Sequence, residues 1–256
     1  MFELVGFDLA ALLPFILIGF AAQAIDGALG MAFGVITNTL LVGVLGVPPA
    51  QASARVHVVE TFTTAISGLS HLLHGNVDKQ LFFRLAIPGV IGGATGAYIL
   101  SHIDGDVIKP FILTYLTAIG IWLLVRGLLY PPKIKPAKWV EPFGLAGGFL
   151  DAIGGGGWGP IVTSNLLVQG AEPRKVIGTV NSVEFLLTLT VSATFIYHLG
   201  FADLVGATLG LLIGGILAAP FGAIMAKRFT PKTLLILVGT VLTATSLFAL
   251  WKAVFG

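Results

Sequence analysis

Apolar residues come in long blocks along this chain, and glycine, proline and charge mark the breaks between them. Ten blocks are set off in this way, over residues 8–25, 30–46, 50–74, 80–101, 106–130, 139–153, 157–170, 174–199, 203–226 and 231–254. Most approach the length of about 20 residues that a helix needs to cross a hydrocarbon core of about 30 Å. Block 157–170 is shorter. At about 1.5 Å per residue it reaches only about 20 Å, so 139–153 and 157–170 are expected to form a re-entrant pair of half-helices.

The two groups of five blocks look alike. AIDGALGMAFG (24–34) lies over FLDAIGGGGWG (149–159), pairing Asp26 with Asp151, Gly30 with Gly155, Phe33 with Trp158 and Gly34 with Gly159. Further on, Pro49 meets Pro173, His57 meets Asn181, Glu60 meets Glu184, Gly75 meets Gly200 and Asp78 meets Asp203. Gly92–Gly93 and Gly214–Gly215 follow in register. One order of features repeated across half a chain marks an internal repeat. Five segments per repeat is an odd number, so the second repeat is inverted in the membrane. The expected fold is all-α: a polytopic membrane protein of two inverted repeats, each a glycine-broken hairpin plus three long transmembrane helices. It forms one membrane domain over 1–256, with repeats 1–130 and 139–256 joined by a cytoplasmic linker, 131–138.

Composition agrees with a membrane location. The chain has 256 residues, 56% hydrophobic, with mean hydropathy +0.97. Its 14 basic and 12 acidic residues are too few to coat a soluble domain of this size. A net charge of +2 gives no case for a nucleic-acid partner. The absence of cysteine excludes disulfides, thiol catalysis and zinc–thiolate sites. The start, MFELVGFDLA, lacks the basic n-region of a secretory signal, so the first block is expected to be retained. Arg126, Lys133, Lys135 and Lys138 place the central loop in the cytoplasm, as Lys227, Arg228 and Lys232 do for the loop before the last block. Counting outward puts both termini outside.

The densest break is Gly154–Gly155–Gly156–Gly157, beside Asp151. Each glycine inside a helix costs about 1 kcal/mol against alanine. A backbone leaves the helix inside a membrane only where protein or a water-filled cavity satisfies it. These glycines open the short segment that follows, where bare N–H groups at a helix N-terminus suit an anion. Gly27 and Gly30 would supply the matching end from the first repeat. Two half-helix ends meeting at midplane is the binding arrangement of inverted-repeat transporters.

The order of GALGMAFG, GGGGWGP, HGNVDKQLF (74–82), GGATGAYI, GGILAAPFGA and RFTPKTL resembles the TauE/SafE family, also called TSUP, over essentially the whole chain. The resemblance implies a secondary transporter of sulfite, thiosulfate or small organosulfonates across the bacterial inner membrane, with a small inorganic or organic anion and the lipid bilayer as partners. No cofactor is expected, and a homodimer is compatible with it. Many family members lack an acid beside the glycines and a glutamate within the long helices, whereas this chain has Asp26, Asp151, Glu60 and Glu184.

An ionisable residue mid-membrane costs about 2.5–3.5 kcal/mol on insertion scales, so it has a partner or a task. Glu60 and Glu184 are repeat mates, each with a polar residue three positions earlier, His57 and Asn181, on the same helix face. A desolvated carboxylate exchanges protons near neutral pH, so these four residues are expected to carry or support transported protons. Asp26 and Asp151 are expected to cap the hairpins, with an alternative as Na⁺ ligands. Arg55 is a candidate to meet the oxyanion, or equally to snorkel to the headgroups or pair with an acid. Trp158 is a candidate gate over the substrate, against core packing. A competing function is a cation or metal-ion carrier using the four carboxylates. The chain has no Gly-x-Ser-x-Gly, His-Glu-x-x-His or Walker motif, so neither an enzyme nor an ATP-driven pump is expected.

Overall fold

The structure, a computed structural model, describes residues 3–4, 7–29, 31–129, 139–163, 165–166, 173–200, 205–228 and 230–255. Apart from a two-residue antiparallel pair, β1 (Glu3–Leu4) with β2 (Phe7–Asp8), these residues are helical wherever they are regular. In the first half α1 (Leu9–Leu29) is followed by α2 (Phe33–Thr39), which continues as a π-helical turn to Val44. Three long helices follow, α3 (Pro49–Leu73), α4 (Lys79–His102) and α5 (Gly105–Leu128). The second half repeats the order. It contains α6 (Val140–Gly154), α7 (the π-helical turn Trp158–Thr163), α8 (Pro173–Leu199), α9 (Val205–Arg228) and α10 (Pro231–Phe255). The linker 131–138, Gly30 and most of segment 164–172 lie outside the described residues.

Among the described residues, four stretches are long and apolar enough to cross a membrane: Lys79–His102, Gly105–Leu128, Lys175–Leu199 and Leu235–Phe255. Ala10–Asp26, Phe33–Val44 and Val205–Ala218 are shorter apolar helices. Large side chains such as Ile66, Ile87, Phe111 and Phe248 point outward, as a surface facing lipid requires. One boundary differs from the sequence expectation. Helix α1 runs on through Asp26 to Leu29, because Gly27 alone does not stop a helix, and the break comes after it.

Helices pair across the two halves. α1 lies along α9 and α6 lies along α4, each pair running parallel with backbones in close approach. A Cβ at Gly214 would meet Ile16 O, and one at Gly92 would meet Leu145 O. This is the packing that small residues permit in membranes. Helices α3 and α8 cross antiparallel, with Thr64 Oγ1 3.4 Å from Thr188 Oγ1 and Thr61 Oγ1 3.2 Å from Ser192 Oγ. α5 and α10 also pack antiparallel, through Gly120 on Thr243 and Gly239 on Leu124. At one end Arg84 makes a bidentate pair with Glu141, 2.5 and 3.1 Å, tying the start of α4 to the start of α6.

Another of these close approaches is testable. A Cβ at Gly148 would meet the Gly89 backbone, which cannot give way as a side chain would. Gly148→Val is expected to cost about 1–3 kcal/mol by overpacking. In a detergent thermal melt this lowers Tm by roughly 5 °C for a chain of this size.

Candidate functional site

Each hairpin is held by an aspartate reaching forward seven residues. Asp26 Oδ1 accepts the Phe33 N–H at 3.1 Å. Asp151 Oδ1 accepts the N–H groups of Gly157 and Trp158 at 2.6 and 2.9 Å. These N–H groups open α2 and α7, where no carbonyl of the preceding turn is in place to accept them. The two hairpins then cross. A Cβ at Gly34 would meet the carbonyl oxygen of Gly155, and one at Gly159 would come to 2.8 Å of Met31 Cβ. Asn38 Nδ2 donates to Gly154 O at 2.5 Å, and Tyr115 OH donates to Gly156 O at 3.2 Å. Gly155 sits at φ +65°, a backbone conformation that glycine adopts without strain.

A second set of bonds ties α3 to this crossing. His57 is fully buried, with Nε2 3.1 Å from Asp151 Oδ2 and Nδ1 2.8 Å from Ser53 O. Ser53 Oγ donates to Ala152 O at 2.5 Å. A carbonyl only accepts, so Nδ1 carries a proton and donates to Ser53.

Beside the crossing lies a cavity of about 270 Å³. Gln23 and Asp26 of α1, Gly34 and Val35 of α2, and Glu60, Thr63, Thr64 and Ser67 of α3 form one wall. Asp151, Gly156, Gly159, Pro160, Thr163, Asn181 and Glu184 form the other. Four carboxylates line the cavity, and no Lys, Arg or His is among its described lining residues. Gly34, in the first turn of α2, and Glu60 line it together. The lining steps from Glu60 to Ser67 along α3 and from Glu184 back to Asn181 along α8. The cavity therefore extends from mid-helix toward the end that carries Lys79 and Lys175.

The two halves differ where α4 and α9 meet the crossed pair. Gly93 of α4 abuts Leu187 and Val191 of α8, with Val191 Cγ2 at 2.9 Å from the position of a Cβ. At the matching Gly215 of α9 the nearest atom is Gln23 Cβ, 3.9 Å away. The α3 residues that correspond to Leu187 and Val191 are Thr63 and Ser67, and both line the cavity. One side is closed by apolar packing and its counterpart is the cavity.

A family model described as Sulfite exporter TauE/SafE matches residues 15–249. The chain belongs to the TauE/SafE family. It is 45% identical over 237 residues to "Probable membrane transporter protein YtnM" of Bacillus subtilis, across 89% of this chain and 79% of that protein. "Probable membrane transporter protein YjnA" of the same organism is 26% identical over 253 residues, 91% of this chain and 97% of that protein. A Haemophilus influenzae protein named as a probable membrane transporter is 27% identical over 249 residues. No solved structure matches the chain. As a TauE/SafE member it is a multi-pass membrane transporter.

Against this frame the sequence candidates separate. Glu60, Glu184, Asp26, Asp151, Asn181 and Gly156 come together at the cavity. Gly157 lies behind it, its N–H spent on Asp151, so that group does not await an anion as the sequence suggested. Gly154 packs on Tyr115 and Gly155 on Asn38. Gly27 is in the last turn of α1. Trp158 fills the core instead of gating: its ring lies on Gly89 and Gly147, and Nε1 donates to Val180 O at 3.4 Å. Arg55 is buried and donates to Gln51 at 3.2 Å on its own helix, away from the cavity wall. His57 meets Asp151, a partner the sequence did not name.

Asp151 holds two backbone N–H groups and the His57 ring, and Asp26 is shown with one N–H, so the two caps are unequal. Asp151→Ala is expected to cost about 3 kcal/mol, as when a buried pair loses one member. Asp26→Ala is expected to cost about 1 kcal/mol, the value of one cap. Detergent melts of both variants would reveal the order, and equal losses would contradict it.

Proposed function

We propose that the chain is a secondary transporter of a small sulfur-containing anion, such as sulfite, thiosulfate or an organosulfonate, across the bacterial inner membrane. Protons carried by Glu60 and Glu184 are coupled to the movement. The observation that carries this reading is a cavity where two helix-opening hairpins meet two glutamates. An oxyanion placed there is repelled while the glutamates are charged. Once they are protonated, their O–H groups donate to it. Anion and proton therefore enter together.

The antiparallel mates α3/α8 and α5/α10, and the matched caps on Asp26 and Asp151, support a pair of inverted repeats. In such a pair, closing one side and opening its counterpart is alternating access. The basic loops favour an orientation with Lys79 and Lys175 in the cytoplasm. This conformer is then open inward, with its outer gate shut where α4 packs on α8. Transport requires α4 to part from α8 while α9 closes on Thr63 and Ser67.

The acid-rich, base-free wall favours one competing reading, a cation carrier. Flux of labelled sulfite and thiosulfate into liposomes, with and without a proton gradient, separates the two when unlabelled anions and divalent cations compete. The anion reading expects saturable, anion-competed uptake that follows the gradient. Glu60→Gln and Glu184→Gln keep a neutral donor but cannot exchange a proton, so they should abolish the gradient dependence of uptake while sparing anion binding. Cation flux abolished by the same variants, with no anion flux, would replace it.

The gate is tested separately. The chain has no cysteine, so single replacements report cleanly. Ser67→Cys is expected to react with a membrane-impermeant thiol reagent from the Lys175 face of oriented vesicles and not from the other. Val191→Cys is expected to be protected in the same conformer. Equal labelling of both from the far face would overturn the inward-open assignment.

A further inference from the structure

α4 and α8 run parallel and end together, at the face opposite Lys79 and Lys175. Their last turns bring rings into contact. His102 closes α4, and its ring centroid lies 4.6 Å from that of His198 at an interplanar angle of 73°. Tyr98 is 4.4 Å from His102 and 5.4 Å from His198. His102 Nδ1 is 2.7 Å from the Tyr98 carbonyl oxygen. Since that oxygen only accepts, Nδ1 carries a proton and donates, and the Nε2 lone pair is left for another partner. This is the tautomer of a metal-bound histidine, whose second ring nitrogen is characteristically held by a carbonyl or carboxylate.

The geometry points to a transition-metal ion site formed by His102 and His198 across the α4–α8 gate. Imidazole nitrogens suit Zn²⁺, Ni²⁺ and Cu²⁺, whereas Mg²⁺ and Ca²⁺ require oxygen ligands. No third His, Cys, Asp or Glu joins the pair among the described residues, so water would complete the coordination shell. His102 is exposed and His198 half-buried, which leaves the pair within reach of ions from that face.

The two ligands lie on helices from different halves of the chain. An ion bound by both favours the conformer in which α4 rests on α8, and it disfavours the exchanged one. External metal therefore inhibits transport without entering the substrate cavity. This effect on flux rests on the alternating-access reading; the metal site itself does not.

The test uses untagged, full-length protein in detergent, melted with and without Ni²⁺. At Ni²⁺ about a hundredfold above Kd, Tm is expected to rise by roughly 5 °C. His102→Gln with His198→Gln should abolish the rise while leaving the metal-free Tm unchanged, and Mg²⁺ should give none. No rise, or an equal rise in the double variant, overturns the site. In liposomes, Ni²⁺ on the His102 face should inhibit parent flux and spare the double variant. A His-dependent rise in Tm with flux unaffected keeps the site and overturns its place at the gate.

Discussion

Backbone broken inside a bilayer has no water to turn to, and the rest of this structure depends on how the two breaks are satisfied. Asp151 does most of this. One carboxylate oxygen takes the N–H groups that open α7, and the other takes His57. His57 in turn donates to Ser53, and Ser53 to Ala152, so α3 is fastened to the second hairpin at both ends of a short network. Glu60 lies less than one turn further along α3, and its place at the cavity follows from that fastening. The glycines matter for a second reason besides freedom of φ. Gly34 and Gly156 let two backbones touch, and any side chain there would push the hairpins apart.

The two halves follow the same order of helices but differ at several matched positions. His57 reaches Asp151 and closes that side. Its mate Asn181 is shorter and lines the cavity with Asp26. The same sense of asymmetry appears a few residues on, where Leu187 and Val191 fill the space over Gly93 and their counterparts Thr63 and Ser67 do not fill the space near Gly215. Apolar, branched residues fill one side, and small hydroxyl residues line the cavity at its counterpart. The two sides are therefore unequal in chemistry as well as in packing.

Much of the site was legible in the sequence, because its residues break strong patterns. Glycines in a run and carboxylates in an apolar helix are costly enough to be noticed singly. The polar face of α3 was also there to be read: Ser53, His57, Glu60, Thr64 and Ser67 are spaced by four, three, four and three, the stripe of one helix face. What was not legible is which groups meet across distance. His57 and Asp151 are 94 positions apart, and nothing local says that the aspartate, and not Glu60, takes the imidazole. The N–H groups of Gly157 and Trp158 looked available because their acceptor folds back from the preceding helix. Trp158 and Arg55 went to the core and to a same-helix partner for a related reason: periodicity gives a face, but not what covers it.

An acid-lined cavity is an unusual place for an anion, and the arithmetic shows what it demands. Two unit charges about 6 Å apart, at an effective dielectric constant of about 20, interact by about 3 kcal/mol. Each ionised glutamate would then weaken anion binding by about a hundredfold. Protonating both removes that penalty and adds two donors. A coupling of this size is reciprocal, so the anion strengthens proton binding by the same factor. The carboxylates that would exclude the substrate are on this reading what ties its movement to the proton gradient, and a neutral, preformed anion site in the same place would bind well but couple to nothing.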